Sequence, residues 1–117
     1  MINLLEETEE ELVTHNKTSD DVLWIGGSDF TISIEEFKKL ANQEYDNGFG
    51  APEVAQDLKV VGKDWWLQRH EYDGAEHWDY MTYPKKPSEQ KSVKRVITCN
   101  IGWETLREMQ EAKPSDE

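Results

Sequence analysis

The sequence predicts an α+β fold: a single small domain with an antiparallel sheet of about four or five strands, a central β-hairpin and two or three helices. Three observations lead there. The stretch Asp64–Tyr80 alternates aromatic and polar residues on both sides of Asp73-Gly74, a two-residue loop that suits the type I′ turn of a hairpin. Apolar residues recur at helical spacing in segments before and after it. The 117 residues suit one domain with short tails, and five Trp, four Tyr and three Phe supply bulk for a modest core.

The elements follow in order. Residues 2–15 read as an acidic helix, with Ile2, Leu5, Leu12 and Val13 on one thin face and Glu6, Glu7, Glu9, Glu10 and Glu11 mostly outside it. The acids suit the positive end of the helix dipole. The thin stripe makes residues 1–16 a peripheral element. Asp21–Ile25 reads as a strand, Gly26-Gly27-Ser28-Asp29 as a turn, and Phe30–Ile32 as the returning strand. Ser33 with Glu36 forms a capping-box pattern before a helix at about 34–45, whose inward face is Ile34, Phe37, Leu40 and Ala41. Asp46–Pro52 breaks that helix, and Gly48-Phe49-Gly50 is a structural turn, since no Gly-Lys-Ser/Thr follows to make a phosphate loop. Pro52–Leu58 can open a helical turn. Lys59–Val61 reads as a short strand.

In the hairpin, Tyr72 should oppose Ala75, His70 should oppose His77, and Leu67 should oppose Tyr80. Trp65, Leu67, Arg69, Trp78 and Tyr80 then share the core face, with Arg69 able to lie on Trp78. Trp66, Gln68, His70, Tyr72, His77, Asp79 and Met81 share the other. After the polar connection Tyr83–Lys91, Ser92–Cys99 reads as a last strand and Gly102–Met109 as a closing helix facing inward through Trp103, Leu106 and Met109. The domain is therefore expected over 1–112, with 113–117 a disordered tail.

Charge narrows the functional classes. The formal net charge is −12, which repels a phosphate backbone and argues against a broad basic nucleic-acid face. Either the charge serves solubility, or it attracts a basic partner. Lys85, Lys86, Lys91, Lys94 and Arg95 form the one basic cluster, which with Trp and Tyr nearby could make a small nucleic-acid contact but better suits solubilising a linker and edge strand. The lone Cys99 forms no internal disulfide and reads as a small core residue. No run of about 20 apolar residues is present, and the N-terminus lacks the basic start and apolar centre of a secretion signal, so a cytoplasmic location is expected.

Three clusters are candidate sites. His70 and His77, opposed across the hairpin with Asp79 on the same face, offer two imidazoles and a carboxylate; a fourth metal ligand is missing from the pattern. Glu71 and Glu76 oppose each other near the turn, where repulsion can raise one carboxyl pKa but solvent screens it. Trp66, Tyr72 and Met81 form an aromatic face of the kind that anchors a protein interface if nothing covers it.

Asp64-Trp65-Trp66-Leu67-Gln68-Arg69-His70-Glu71-Tyr72-Asp73-Gly74, followed by Trp78 and Tyr80-Met81-Thr82-Tyr83-Pro84, resembles a segment of small uncharacterised proteins of phages and prophages of Gram-positive bacteria. The resemblance covers residues 57–84 best and carries no assigned activity. It implies a comparison with small acidic phage inhibitors of host machinery, anti-CRISPR proteins and other DNA mimics among them, by size and charge alone. The expectation is a non-enzymatic interaction protein in the bacterial host's cytoplasm, with no cofactor or bound metal. It would inhibit a host protein with a basic surface, such as a defence nuclease, through Glu6, Glu7, Glu9, Glu10, Glu11, Trp66, Tyr72, Glu71, Glu76 and Asp79. The alternatives are a small metal-dependent or hydrolytic enzyme using His70, His77 and Asp79, and a phage accessory domain without catalytic role.

Overall fold

The computed structural model describes residues 1–48 and 50–112. Phe49 and the tail at 113–117 lie outside the described residues. The chain forms two compact units, Met1–Pro84 and Lys85–Glu117. The fold is α+β, with antiparallel sheets of two and five strands and three α-helices among the described residues.

In the N-terminal unit, Ile2–Asn3 (β1) pairs with Glu44–Tyr45 (β4) as a two-stranded sheet. Helix α1 (Leu4–Thr14) starts two residues later than the sequence suggests, because Asn3 stays extended and its side chain accepts from the Glu6 N–H. The inward stripe of α1 also differs from expectation. Thr8 and Leu12 are buried, whereas Val13 is 69 % exposed. A 3₁₀ turn at Ser19–Asp21 takes the start of the expected strand, since Thr18 caps it and Asp21 returns a bond to the Thr18 N–H. The strand proper, β2, is Trp24–Gly26, and β3 is Thr31–Ile32.

Ser33 caps α2 (Ile34–Ala41) by accepting from the Glu36 N–H. Phe37 and Ala41 are buried as expected, but Leu40 is exposed. The helix stops at Ala41 rather than 45, because Glu44 and Tyr45 are taken into the ladder with β1 and the Gln43 carbonyl accepts from the Leu4 N–H. Tertiary pairing overrides helical pattern here. Residues 52–58 form no helix: the Glu53 and Val54 N–H groups donate to the Glu76 carboxylate, and only a single turn closes behind them, where the Leu58 N–H donates to the Ala55 carbonyl.

Strands β5 (Lys59–Val61), β6 (Trp65–Tyr72) and β7 (Ala75–Thr82) complete the larger sheet, in the order β3-β2-β5-β6-β7. The hairpin register is the expected one, with Tyr72 opposite Ala75, His70 opposite His77 and Leu67 opposite Tyr80. Asp73 and Gly74 both take positive φ, 52° and 87°, as a type I′ turn requires. The core forms on one side of this sheet. Ile25, Val60, Leu67, Trp65 and Trp78 pack with Leu12 of α1 and Phe37 and Ala41 of α2.

The C-terminal unit departs most from expectation. Ser92–Cys99 forms no strand, and Cys99 is exposed rather than in a core. The Lys94 N–H and the Arg95 carbonyl bond to the Gln110 side chain in place of a neighbouring strand. Helix α3 is Leu106–Glu111, starting four residues beyond Gly102 and set by a reciprocal Thr105–Glu108 capping box. Trp103 therefore precedes the helix and is fully exposed, and Leu106 is exposed as well.

Candidate functional site

Inside the N-terminal unit, a buried polar cluster is built around Arg69. Strand alternation puts Arg69 and Trp78, cross-strand partners, on the core face. The Arg69 guanidinium lies 4.7 Å from the Trp78 ring centroid, the cation–π pair the hairpin register implies. Its Nη2 donates to Glu76 Oε1 at 2.8 Å and to the Tyr45 hydroxyl at 2.9 Å, and Nη1 lies 3.7 Å from Glu7 Oε1. Tyr45 in turn donates to Glu7 Oε1 at 2.5 Å. Burial pulls the guanidinium pKa down, but the bonds to Tyr45 and Glu76 outweigh it and hold it above its ordinary value. Burial and the bond to Glu7 push the Tyr45 phenol up to about 12. Beside this cluster, Trp78 Nε1 donates to Thr8 Oγ1 at 2.9 Å, and Thr8 donates to the Leu4 carbonyl at 2.7 Å.

This cluster decides which expected partner-binding carboxylates reach solvent. Glu76, with a side chain 3 % exposed, and Glu7, at 12 %, are turned inward to Arg69. The sequence placed Glu76 opposite Glu71, and the register agrees, but Glu71 instead accepts from the Gly74 N–H and closes the turn. Glu6, Glu9 and Glu10 are exposed on α1, and Glu11 is half-buried beside His15, 3.2 Å away. The His15 ring stacks on Tyr80 with centroids 3.8 Å apart. The signal that would have found the cluster was present: a lone Arg at a core-face position of the hairpin needs a buried acid.

On the opposite face of the sheet, the register aligns a row the sequence did not reveal. Trp24 faces Val61, Val61 faces Trp66, and Trp66 faces Met81, so an apolar row crosses four strands. Trp24 is 39 % exposed, and Val61, Trp66 and Met81 are half-buried. Tyr83 tilts against Trp66 at 5.1 Å, and Trp66 Nε1 donates to Gln68. Tyr72 stands at the hairpin tip, 77 % exposed.

His70, His77 and Asp79 do meet on that face. Asp79 lies 3.1 Å from His77 Nε2 and 3.6 Å from His70 Nδ1, with the two rings 5.2 Å apart. All three side chains are well solvated, and among the described residues no group of three or more His, Cys, Asp and Glu side chains is arranged to hold a metal. The arrangement sets two imidazoles around one carboxylate. A cleft of about 630 Å³ between the hairpin and residues 52–56 is lined by His70, Glu71, Arg69 and Glu76.

Charge is divided unevenly along the chain. Residues 1–84 hold six Lys/Arg against 19 Asp/Glu, a net −13, whereas 85–117 hold seven against six, a net +1. Among the described residues no helix is long and apolar enough to cross a membrane. No protein-family model, curated protein or solved structure matches the chain at a significant level.

Proposed function

We propose that the chain is a non-enzymatic interaction protein whose N-terminal unit binds a basic protein surface, and that its target is a nucleic-acid-handling protein it inhibits. The observation that carries this reading is the net −13 confined to residues 1–84, with Glu6, Glu9 and Glu10 presented to solvent along one helix. Such a field steers a basic partner into encounter and competes with phosphate for the same groove. The in-register row of Trp24, Val61, Trp66 and Met81 supplies apolar contact area, which an acidic surface alone lacks. The resemblance of residues 57–84 to phage proteins fits an inhibitor of a host defence nuclease.

The test is a pull-down from nuclease-treated Gram-positive lysate with the full chain, at low and high salt. Retention of a basic nucleic-acid-binding protein is expected, and so is its loss at high salt and in a Glu6→Gln/Glu9→Gln/Glu10→Gln variant. A partner held equally at both salts and by the variant would remove the charge-based reading.

One observation favours a second reading. His70 lines a cleft with Glu71 and Glu76 and shares Asp79 with His77, an arrangement a small hydrolase can use. Zinc retained at one equivalent and lost in His70→Ala/His77→Ala would favour the enzyme.

A further inference from the structure

Between α1, α2 and strands β2 and β5 lies a second cleft, of about 290 Å³. Its walls are apolar: Leu5 and Leu12 of α1, Phe37 of α2, Ile25 of β2, Val60 of β5, and Val22. Five of these six are core residues, and exposed Val13, Thr18, Ser19 and Lys38 also line it, so the cleft opens at the surface with its floor on the core. Cavities of about 150 Å³ with such linings take up benzene, and this one is about twice that size.

The charges around it run against the rest of the unit. Two of the six Lys/Arg in residues 1–84, Lys17 and Lys38, line the cleft, but only one of the 19 Asp/Glu, Glu9, does so. Lys38 is exposed and Lys17 half-buried, its ammonium 5.9 Å from the centroid of the Trp65 ring beside the cleft, and Thr18 and Ser19 share the lining with them. An apolar chamber whose rim is net positive, in a unit of net −13, is matched to a ligand with an apolar body and one negative head.

The geometry points to a binding site for an amphipathic monoanion, a medium-chain carboxylate whose hydrocarbon fills the cleft and whose carboxylate meets Lys17 and Lys38. The apolar walls give affinity by removing hydrocarbon from water, and the two ammonium groups select the sign of the head. This site is separate from the sheet face and shares with the outward carboxylates of α1 only Glu9, so the lysine variants, which leave Glu9 in place, test it apart from the partner-binding reading.

The experiment titrates the ¹⁵N-labelled full chain with octanoate, 1-octanol and octylammonium, each below its micellar concentration, and follows backbone amide shifts. Octanoate should give saturable shifts at Leu5, Leu12 and Phe37, with octanol several-fold weaker and octylammonium weaker still. Lys17→Glu/Lys38→Glu should weaken octanoate several-fold and leave octanol unchanged. Ile34→Trp, which fills the cleft from α2, should abolish all binding. Should that variant lose its native spectrum, the lysine variant alone decides. The proposal is overturned by equal affinity for all three probes, by octanoate binding indifferent to the lysine changes, or by no saturable shift at those amides.

Discussion

Removing the Arg69 side chain beyond its stem should be among the most damaging single changes in the N-terminal unit. In Arg69→Met the volume is roughly kept, but two carboxylates lose their cation. Glu76, 3 % exposed, keeps only the Glu53 and Val54 N–H groups, and Glu7, 12 % exposed, keeps only the Tyr45 hydroxyl. Breaking a buried pair this way costs about 3–5 kcal/mol, because the remaining charge is left in a dry site. At roughly 0.05–0.15 kcal/mol per residue, 84 residues give a stability of about 4–13 kcal/mol, so the loss is about a quarter of the total or more. For a unit of this size each kcal/mol moves Tm by about 4–8 °C, and a fall of at least about 12 °C is expected.

The assay is urea unfolding of the full chain followed by tryptophan emission, since Trp78 lies against the guanidinium. Arg69→Met/Glu76→Leu should lose less than the two single changes added together, because it removes both charges. It still leaves the Glu53 and Val54 amides without their acceptor, at about 1 kcal/mol each. A loss below about 1 kcal/mol for Arg69→Met would refute the reasoning. It would mean that Glu76 and Glu7 rehydrate without cost and that the cluster does not organise the fold.

The same cluster sets an alkaline limit. Tyr45 titrates at about 12 against an ordinary value of 10.0, so the stability gained by keeping it protonated is complete below pH 10 and lost as pH rises through 12. The full shift corresponds to about 2.7 kcal/mol, reduced to roughly 1–2 by solvent screening; absorbance at 295 nm should show one of the four tyrosines lagging, and a single transition near 10 would contradict this. Thr8→Val keeps the shape of the buried side chain but strands Trp78 Nε1, at a cost of about 1–3 kcal/mol read by urea unfolding, whereas Thr14→Val on the exposed end of α1 should change stability by no more than about 0.5 kcal/mol. Gly62→Ala would place its methyl on the Trp65 indole, where backbone and ring must both shift, so a loss of about 1–3 kcal/mol and an altered Trp65 environment in near-UV circular dichroism are expected; an unchanged spectrum with unchanged stability would show that the ring yields freely.

The parts of the fold legible in the sequence are those fixed by local chemistry. Asp73-Gly74 set the hairpin turn and, through the two-residue period, the whole β6–β7 register and the inward position of Arg69. Ser33 set the start of α2. What stayed hidden depended on distant partners. Glu44–Tyr45 continued a helical pattern until β1 claimed it, and the opening of Pro52–Leu58 was held out of a helix by the Glu76 carboxylate, over twenty residues away. Val96–Cys99 looked like a strand by composition, yet a strand needs a neighbour, and the Gln110 side chain took the backbone groups of Lys94 and Arg95 instead. Of the site, the meeting of His70, His77 and Asp79 was readable from register, while the row from Trp24 to Met81 required knowing that β5 lies between β2 and β6.

The count of acids is therefore a poor guide to the surface a partner meets. Of the 19 carboxylates in residues 1–84, Glu7 and Glu76 serve Arg69. Asp57 accepts from the Ser28 N–H, which holds its pKa below the ordinary carboxylate value, Asp21 and Glu53 bind the amides of Thr18 and Asp46, and Glu71 closes the hairpin turn. Asp79 is engaged by two histidines. Carboxylates bound to backbone amides have their charge partly compensated and their geometry fixed by the fold, so they cannot adjust to a basic groove. Among the described residues Glu6, Glu9 and Glu10 accept no such bond, and they stand exposed along α1. Binding to a basic partner should accordingly weaken far more on neutralising these three than on neutralising Asp21, Glu53 and Glu71, although the change in net charge is the same. Measured side by side at one ionic strength, equal losses from the two triple variants would mean that only the overall field matters and that α1 presents no particular surface.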